Sequence, residues 1–228
     1  MPNFLDSIPK VTKNLLIINV LAYMAYITFI RFGIDLNNIL GLHYFRSSEF
    51  NAIQFVTYMF LHASFSHIFF NMFALFMFGR IIESIIGAKK YIIFYFTCGI
   101  GAGLIQEITW MYSINDVMSQ ISIENGLAEL NKMQADYIMS QFVTVGASGA
   151  IFGLLLAFAM LLPNEPIFLW FIPIPIKSKY FVAVYAILEL WGGVSPSAGD
   201  NVAHFAHLGG MIFGFLLIKY WEKKYKGI

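Results

Sequence analysis

The sequence predicts an all-α, polytopic membrane protein with a bundle of six spanning helices. Of the 228 residues, 59% are hydrophobic and 12% are charged, and the mean hydropathy is positive at +0.71. The charged residues cluster at the ends of apolar runs. A net charge of +1 provides no basic face for nucleic acid. These observations argue against a soluble protein or a nucleic-acid partner and make the lipid bilayer the expected environment.

Six apolar runs provide the spans, each of which ideally takes about 20 largely apolar residues. We expect helices over about 14–32, 67–86, 91–110, 148–162, 180–194 and 204–220. The first is interpreted as a retained helix, because no small-residue cleavage site follows it. Together the runs predict a single membrane domain over residues 1–228.

Two of the connecting segments carry further predictions. Gly33–His62 is too polar to span and predicts a re-entrant or interfacial element, an embedded first loop. The insertion at about 112–141, between the third and fourth spans, predicts an amphipathic surface helix. Its apolar residues at helical spacing are Leu127, Leu130, Met133 and Ile138.

The basic residues orient the six helices. The positive-inside rule applies to lysines and arginines close to the ends of the spans. Of the 14 lysines and arginines, only Arg31, Arg46 and Lys132 fall on one side of the membrane, and the rest fall on the other side. Both termini are therefore expected in the cytoplasm.

The fourth run is too short to cross the bilayer. Ser148–Leu162 gives about 22 Å of helix against a hydrocarbon core of about 30 Å. Pro163 ends it on the cytoplasmic side, so Ser148 should lie below the outer membrane surface. The non-helical "TVGA" before Ser148 is tolerated at that depth only inside protein or beside water. A wet pocket within the membrane is therefore expected.

Two polar clusters lie where polar groups are costly. In "FLHASFSHIFFNMF", His67 and Asn71 are four residues apart on one helix face. In "NVAHFAHLGGMIFG", His204 and His207 are three apart on one face.

Small residues indicate which helices touch. The fourth and sixth runs each hold two glycines four apart, a spacing that permits close backbone approach: Gly149 and Gly153, and Gly210 and Gly214. The contact would bring Ser148 and His207 to matching depths, as a nucleophile and its general base require. The glycine phasing fits His207 better than His204, which is interpreted as a packing or loop residue.

Peptide hydrolysis also needs donors for the developing oxyanion. Asn71 offers an amide NH₂, His67 a ring N–H, and Ser148 the unpaired N–H of a helix start. No carboxylate is expected beside His207, because Asp200 is placed in a loop and Glu107 and Glu189 on other spans. The pattern therefore predicts a Ser–His dyad that uses no metal or other cofactor.

The chain resembles the rhomboid family of intramembrane serine proteases. The motifs that carry the resemblance are "HASFSHIFFN", "GRIIESIIG", "GASGAIFG" and "AHLGG" with a further glycine four residues on. The resemblance covers about residues 54–217, apart from the insertion at about 112–141. The resemblance implies that Ser148 is the nucleophile and His207 the base, with Asn71 and His67 as oxyanion donors. Supporting positions would be Gly146, Gly149, Phe152 and Gly210.

The resemblance also implies partners and a location. Family substrates are membrane-spanning segments with easily unwound helices, cut near the outer surface. We expect a multi-pass protein of a bacterial inner membrane whose partners are such substrates and the bilayer.

Two positions depart from the pattern of the family. Some bacterial members carry a Trp-Arg pair in the first loop, where this chain has Ile53-Gln54. Some members have a tyrosine stacked under the catalytic histidine, where this chain has Phe152. The phenyl ring keeps the stacking face and loses the hydroxyl.

Three other functions remain as alternatives. A metal or haem protein could use His62, His67, His204 and His207, although their spacings suit a rigid helical site poorly and no HExxH occurs. A non-catalytic rhomboid-like protein could bind membrane clients, but members of that class typically lack the serine or the histidine. An aspartyl intramembrane protease would need two intramembrane aspartates, which are not found. Glu83 is interpreted as an interfacial salt-bridge partner of Arg80.

Overall fold

The structure is a computed structural model that describes residues 7–124, 130–169, 172–195 and 203–225. Within these ranges the helices are α1 (Lys10–Phe29), α2 (Leu36–Leu40), α3 (Gln54–Thr57), α4 (Phe65–Ala74), α5 (Arg80–Ile86), α6 (Ala88–Glu124), α7 (Lys132–Ser140), α8 (Ser148–Leu161), α9 (Ser178–Val194) and α10 (His204–Tyr225). The strands are β1 (Leu42–His43), β2 (Val143–Thr144), β3 (Pro166–Leu169) and β4 (Ile172–Lys177).

Three helical stretches are long and apolar enough to cross a membrane. They are Lys10–Phe32, Phe65–Ile86 and Ala88–Glu124, and Ser148–Leu161 is a shorter apolar helix. The second stretch joins α4 to α5 through a π-helical turn at Leu75–Gly79. The protein is therefore a helical membrane protein, and these stretches correspond to the first four apolar runs of the sequence.

Helix α8 forms the centre of the molecule. Ten of its fourteen residues are buried, and almost every residue on every face is apolar. It packs against α6 and α10, which also pack against each other, and it contacts α9. A helix that is apolar all round belongs in the interior. After Leu161 the chain turns at Pro163, as the sequence predicts.

Glycines bring α8 and α10 into backbone contact. A Cβ added at Gly210 would collide with the carbonyl oxygen of Gly149, and one at Gly214 would lie 3.3 Å from the Cα of Gly153. No side chain larger than hydrogen fits between the backbones at Gly210. The two helices therefore meet along the predicted glycine positions.

The amino end of α1 is held by Glu83 of α5. The Glu83 carboxylate accepts the backbone N–H groups of Val11 (2.9 Å) and Thr12 (2.7 Å), and the Thr12 hydroxyl (2.8 Å). A carboxylate is favourable there, because the first N–H groups of a helix lack acceptors within it. The predicted pairing of Glu83 with Arg80 is wrong: the Arg80 guanidinium lies over the Phe76 ring, 4.7 Å from its centroid.

The first loop is held around the buried side chain of Gln54. Its Oε1 accepts the N–H groups of His43 (3.3 Å) and Asn51 (3.1 Å). Its Nε2 donates to the carbonyls of Ile39 (3.3 Å) and Glu49 (3.0 Å). One amide thus ties together four points of the loop.

A short sheet that was not predicted from the sequence connects this loop to the segment before α8. Strand β1 pairs antiparallel with β2, with Leu42 opposite Thr144 and His43 opposite Val143. Two residues further on, the N–H of Gly146 donates to the Tyr58 carbonyl (2.9 Å). The non-helical approach to Ser148 is therefore fixed by hydrogen bonds to the loop.

The insertion differs from its prediction. Helix α6 does not end near residue 110 but continues to Glu124, and a separate helix, α7, follows at Lys132–Ser140. Of the four apolar residues predicted to form one face, Met133 is exposed, Leu130 precedes α7, and Leu127 lies outside the described residues. Contacts are made instead by Met139 and Phe142, which pack against Tyr44 and Trp110.

A β-hairpin between α8 and α9 was also not predicted. Strands β3 and β4 pair antiparallel, with Pro166 opposite Lys177 and a bulge between Ile167 and Leu169. The prolines of "PIFLWFIPIPIK" obscure the strand pattern in the sequence, because proline cannot donate to a ladder. The hairpin leads directly into α9.

Candidate active site

The hydroxyl of Ser148 and the imidazole of His207 meet at the contact between α8 and α10. Ser148 is the first residue of α8, and His207 lies in the first turn of α10. Their Oγ and Nε2 atoms are 2.8 Å apart. Ser148 is half-buried and His207 is 9% exposed. The distance lies within the range over which an imidazole can take a hydroxyl proton.

Phe152 supports the His207 ring from one face. The two ring centroids are 4.1 Å apart, and the planes differ by 7°. Phe152 lies one helical turn after Ser148, so one face of α8 carries both the hydroxyl and the ring under the imidazole. Tyr185 of α9 packs on Phe152 in turn, with 5.1 Å between the centroids.

Glu189 of α9 reaches the other nitrogen of His207. Its Oε2 lies 2.8 Å from His207 Nδ1 and 2.7 Å from His204 Nδ1. The expectation that no carboxylate lies beside His207 is therefore wrong. Glu189 is on another helix, as expected, but the side of α9 that carries it faces α10. Asp200, the other carboxylate considered near His207, lies outside the described residues.

The sequence held a signal for this contact. An acidic residue within an apolar run is costly in a bilayer and is retained where it finds a partner. Glu189 is such a residue in "YAILELWGG", and the two histidines of α10 were candidate partners. Spacing along one helix cannot show which face of another helix it meets.

Glu189, His204 and His207 form a cluster of three potential metal ligands. Their ligand atoms lie within 4.8 Å of one another. The four-histidine metal site considered as an alternative is not the cluster that forms, because His62 and His67 do not belong to it. Here both imidazole Nδ1 atoms lie at hydrogen-bonding distance from a single carboxylate oxygen, which suits two N–H donors around one acceptor.

His67 and Gly146 lie on the opposite side of the serine. The N–H of Ala63 donates to His67 Nδ1 (3.4 Å), which places the ring proton on Nε2. A Cβ added at Gly146 would lie 2.9 Å from His67 Nε2 and 3.4 Å from Ser148 Oγ. Gly146 also has a φ of +142°, which L side chains rarely adopt. A glycine there keeps open the space between the hydroxyl and a ring N–H donor.

Asn71 adds an amide group one helical turn after His67. It is buried on α4, which packs against α8. Its amide nitrogen has no hydrogen-bond acceptor in the part of the chain that the structure describes. A buried NH₂ group without an acceptor is costly unless it meets one during function.

His62 is an uncharged neighbour of His67. Its ring is fully buried and meets the His67 ring edge to face, with centroids 5.0 Å apart. Burial, reinforced by the nearby His67, lowers the pKa of His62 to about 3. Near neutral pH the ring therefore carries no positive charge.

Comparison with known proteins matches this chain to one family. The rhomboid domain family model covers residues 49–223, which include Ser148, His207, Glu189, His67 and Asn71. The matched region is about three quarters of the chain.

Three relatives are 26–27% identical to the chain. YdcA of Bacillus subtilis, a candidate rhomboid protease, is 27% identical over 175 residues, which are 75% of this chain and 70% of that protein. Rhomboid-like protein 11 of Arabidopsis thaliana, a chloroplast protein, is 27% identical over 72% of this chain and 51% of its own length. Rhomboid protein 1 of yeast mitochondria is 26% identical over 76% of this chain and 43% of its own length. With the family model covering most of the membrane bundle, this chain belongs to the rhomboid family.

Proposed function

We propose that this protein is an intramembrane serine endopeptidase that cuts membrane-spanning segments of other proteins near the outer membrane face. The observation that carries the proposal is the 2.8 Å contact between Ser148 Oγ and His207 Nε2 at the start of a buried helix. Family membership supports the same activity. No metal or other cofactor takes part.

The chemistry proceeds by acyl transfer. Ser148 Oγ attacks the carbonyl carbon of the scissile peptide while its proton passes to His207 Nε2. That proton then moves to the leaving amine, and a water molecule, deprotonated by the same nitrogen, hydrolyses the acyl-enzyme. The half-buried position of Ser148 supports access for this water.

The negative oxygen of the tetrahedral intermediate needs donors on the other side of Ser148. The Nε2–H of His67, the amide of Asn71 and the backbone N–H of Ser148 are assigned this role. Two observations support this assignment. The absence of a side chain at Gly146 leaves space between Ser148 Oγ and His67 Nε2, and the amide nitrogen of Asn71 lacks an acceptor among the described residues. Asn71→Ala removes one donor of three, and a loss of roughly 10²-fold in kcat is expected.

The proposed arrangement in the membrane has six spans, with α9 and α10 as the fifth and sixth. Many of their large apolar side chains are exposed and would face lipid: Val184, Ile187, Leu188, Trp191, Ile212 and Leu216. In this arrangement both termini lie in the cytoplasm of a bacterial cell, and the excess of lysine and arginine on one side of the spans supports that orientation. Cysteine accessibility at the two ends of α10, measured in sealed vesicles, tests this orientation.

The activity is tested with purified protein and a model transmembrane substrate in liposomes. Ser148→Ala and His207→Ala should each lower the cleavage rate by at least about 10³-fold while the protein stays folded. Ser113→Ala is the matched control, because in the described part of the chain that hydroxyl donates to the Thr109 carbonyl of its own helix. Mapping a fluorophosphonate adduct should identify Ser148. Cleavage by the Ser148→Ala variant at the wild-type rate would overturn the proposal. A membrane client that binds to the wild-type protein but is never cut would indicate a non-catalytic rhomboid-like protein.

A further inference from the structure

Glu189 occupies the position of a third member beside the Ser148–His207 pair. The side chain is buried, with the residue 6% exposed, and its Oε2 lies 2.8 Å from His207 Nδ1. His207 Nε2 lies on the opposite edge of the ring, 2.8 Å from Ser148 Oγ. Serine, imidazole and carboxylate therefore form one continuous chain of hydrogen bonds through a single ring.

We propose that Glu189 is a positioning residue that holds the proton of neutral His207 on Nδ1. A neutral imidazole carries one proton, and only the nitrogen without it can accept the proton of a serine. A carboxylate is acceptor-only when ionised, so Nδ1 must be the donor in this contact. Nε2 is then free to act as the base toward Ser148. The inference rests on the proposed function and deepens it from a Ser–His pair to a Ser–His–Glu triad.

Glu189 also stabilises the cation that forms during the reaction. When the Ser148 proton arrives on Nε2, the Nδ1 proton stays in place and the ring becomes an imidazolium. The carboxylate beside it offsets that charge, and because both residues are buried, at 9% and 6% exposed, bulk solvent screens their attraction only weakly. Glu189 itself exchanges no proton with the substrate.

The hydrogen bond to His204 explains how a carboxylate persists in this place. A buried carboxylate needs more than one donor to offset the loss of water. His204 Nδ1 lies 2.7 Å from the same Oε2, so two imidazoles share one acceptor. His204 is assigned to holding Glu189, and not to the reaction.

The test compares two glutamates of equal burial on different helices, α9 and α6. Glu189 and Glu107 are both 6% exposed, and Glu107 Oε2 accepts the Phe45 N–H of the first loop (3.0 Å). Glu189→Gln should lower kcat by about 10²- to 10⁴-fold with KM changed less than about threefold, by analogy with the Asp-to-Asn exchange in the serine protease triad. Glu189→Asp should recover part of the rate. Glu107→Gln should cleave within about threefold of the wild type.

A spectroscopic measurement separates this role from a structural one. In Ser148→Ala protein with ¹⁵N-labelled histidine, nitrogen NMR should find neutral His207 protonated on Nδ1. In the Ser148→Ala, Glu189→Gln double variant, a substantial fraction of the neutral His207 rings should shift to the tautomer that carries the proton on Nε2. A His207 ring protonated on Nε2 in the Ser148→Ala variant would overturn the proposal. This measurement does not need the Glu189→Gln variant, so it still tests the proposal if that variant unfolds.

Two further outcomes decide against the proposal. Glu189→Gln activity within about threefold of the wild type would show that the carboxylate does not serve His207 in catalysis. Loss of wild-type cleavage on chelation, with recovery on adding Zn²⁺, would make the three-residue cluster a metal site. If wild-type protein neither cleaves nor reacts with a fluorophosphonate, the proposed function fails, while NMR still reports whether Glu189 sets the tautomer.

Discussion

The rings of Phe152 and His207 stack in parallel, 4.1 Å between centroids and 7° between planes, on the side of the imidazole that faces α8. The hydrogen bonds of His207 to Ser148 and Glu189 lie in the ring plane, whereas Phe152 restricts motion out of that plane. The histidine is thus held in three dimensions by groups from α8 and α9.

Replacing the stacked ring should slow the reaction without unfolding the protein. Phe152→Leu keeps the approximate volume and loses the stacking, which is worth about 0.5–1.5 kcal/mol, so a fall of about 2- to 12-fold in kcat is expected. Phe152→Tyr keeps the ring and should retain most of the activity. Cleavage kinetics and thermal unfolding measured together check this. Equal rates for the Leu variant and the wild type would contradict the role given to the ring.

The glycine contact between α8 and α10 should tolerate no methyl group. Gly210→Ala places a Cβ against the Gly149 carbonyl, and backbone cannot move aside as a side chain can. We expect a loss of about 1–3 kcal/mol or more in stability, together with loss of cleavage because the helices that carry Ser148 and His207 are pushed apart. Differential scanning fluorimetry and the cleavage assay measure the two effects.

Gly193→Ala is the control for that variant. The new Cβ would meet the far edge of the Phe205 ring at 2.9 Å, which a small rotation of the ring can relieve. Gly193→Ala should lower the stability of the protein less than Gly210→Ala does. The reverse order of the two melting temperatures would show that the backbones at Gly210 and Gly149 leave room for a methyl group.

The carboxylate of Glu83 should matter for folding and not for chemistry. Glu83→Gln keeps the size but removes the charge that three donors of α1 share, and a loss of about 2 kcal/mol is expected. Glu222→Gln is the control, because its ion pair with Lys219 is exposed and contributes about 0.5 kcal/mol at most. Unfolding in a denaturing detergent ranks the two variants. Fluorophosphonate labelling of folded Glu83→Gln should match that of the wild type.

The contact between α7 and the first loop should weaken in acid. The Asp136 carboxylate accepts the Ser48 hydroxyl (2.7 Å) and the Ser48 N–H (2.9 Å), and these bonds lower the pKa of Asp136. A depressed folded pKa means that the contribution to stability is present above the unfolded value of about 3.9 and is lost as pH falls through the folded value.

Carbon NMR of the Asp136 carboxyl measures this directly. Its titration midpoint should lie below the ordinary aspartate value, and Ser48→Ala should raise it by removing the hydroxyl. Ser66→Ala changes a serine that bonds Ser64 instead, and it should leave the midpoint unchanged. A midpoint that is the same in wild type and Ser48→Ala would mean that the bond does not persist in solution.

Features that depend on one helix, or on the spacing of small residues, were predictable from the sequence. The start of α8 at Ser148 and its end before Pro163 follow from an apolar run and a proline. The Gly149–Gly210 contact follows from two glycine pairs, because glycine is the residue that permits such an approach. Membership of the rhomboid family, implied by four short motifs, is confirmed by the family model.

Features that depend on how one helix is rotated against another were not predictable in this way. Glu189 and Glu83 are both acidic residues in apolar runs, and the sequence alone led to the wrong partner for Glu83 and to no contact with His207 for Glu189. Their true partners are α1 backbone groups and α10 histidines. The pairing of β1 with β2 was not predicted, because strands of two residues are too short to show an alternation of apolar and polar residues.

The 37 residues of α6 form a rod of about 55 Å, which exceeds a hydrocarbon layer of about 30 Å by some 25 Å if the helix stands along the membrane normal. With the tight turn at Gly87 keeping its first residue beside α5, the surplus must project on the side of the bundle where α7 and the first loop lie. A soluble domain of any protein that approaches the membrane surface on that flank would meet the projecting end of α6 first.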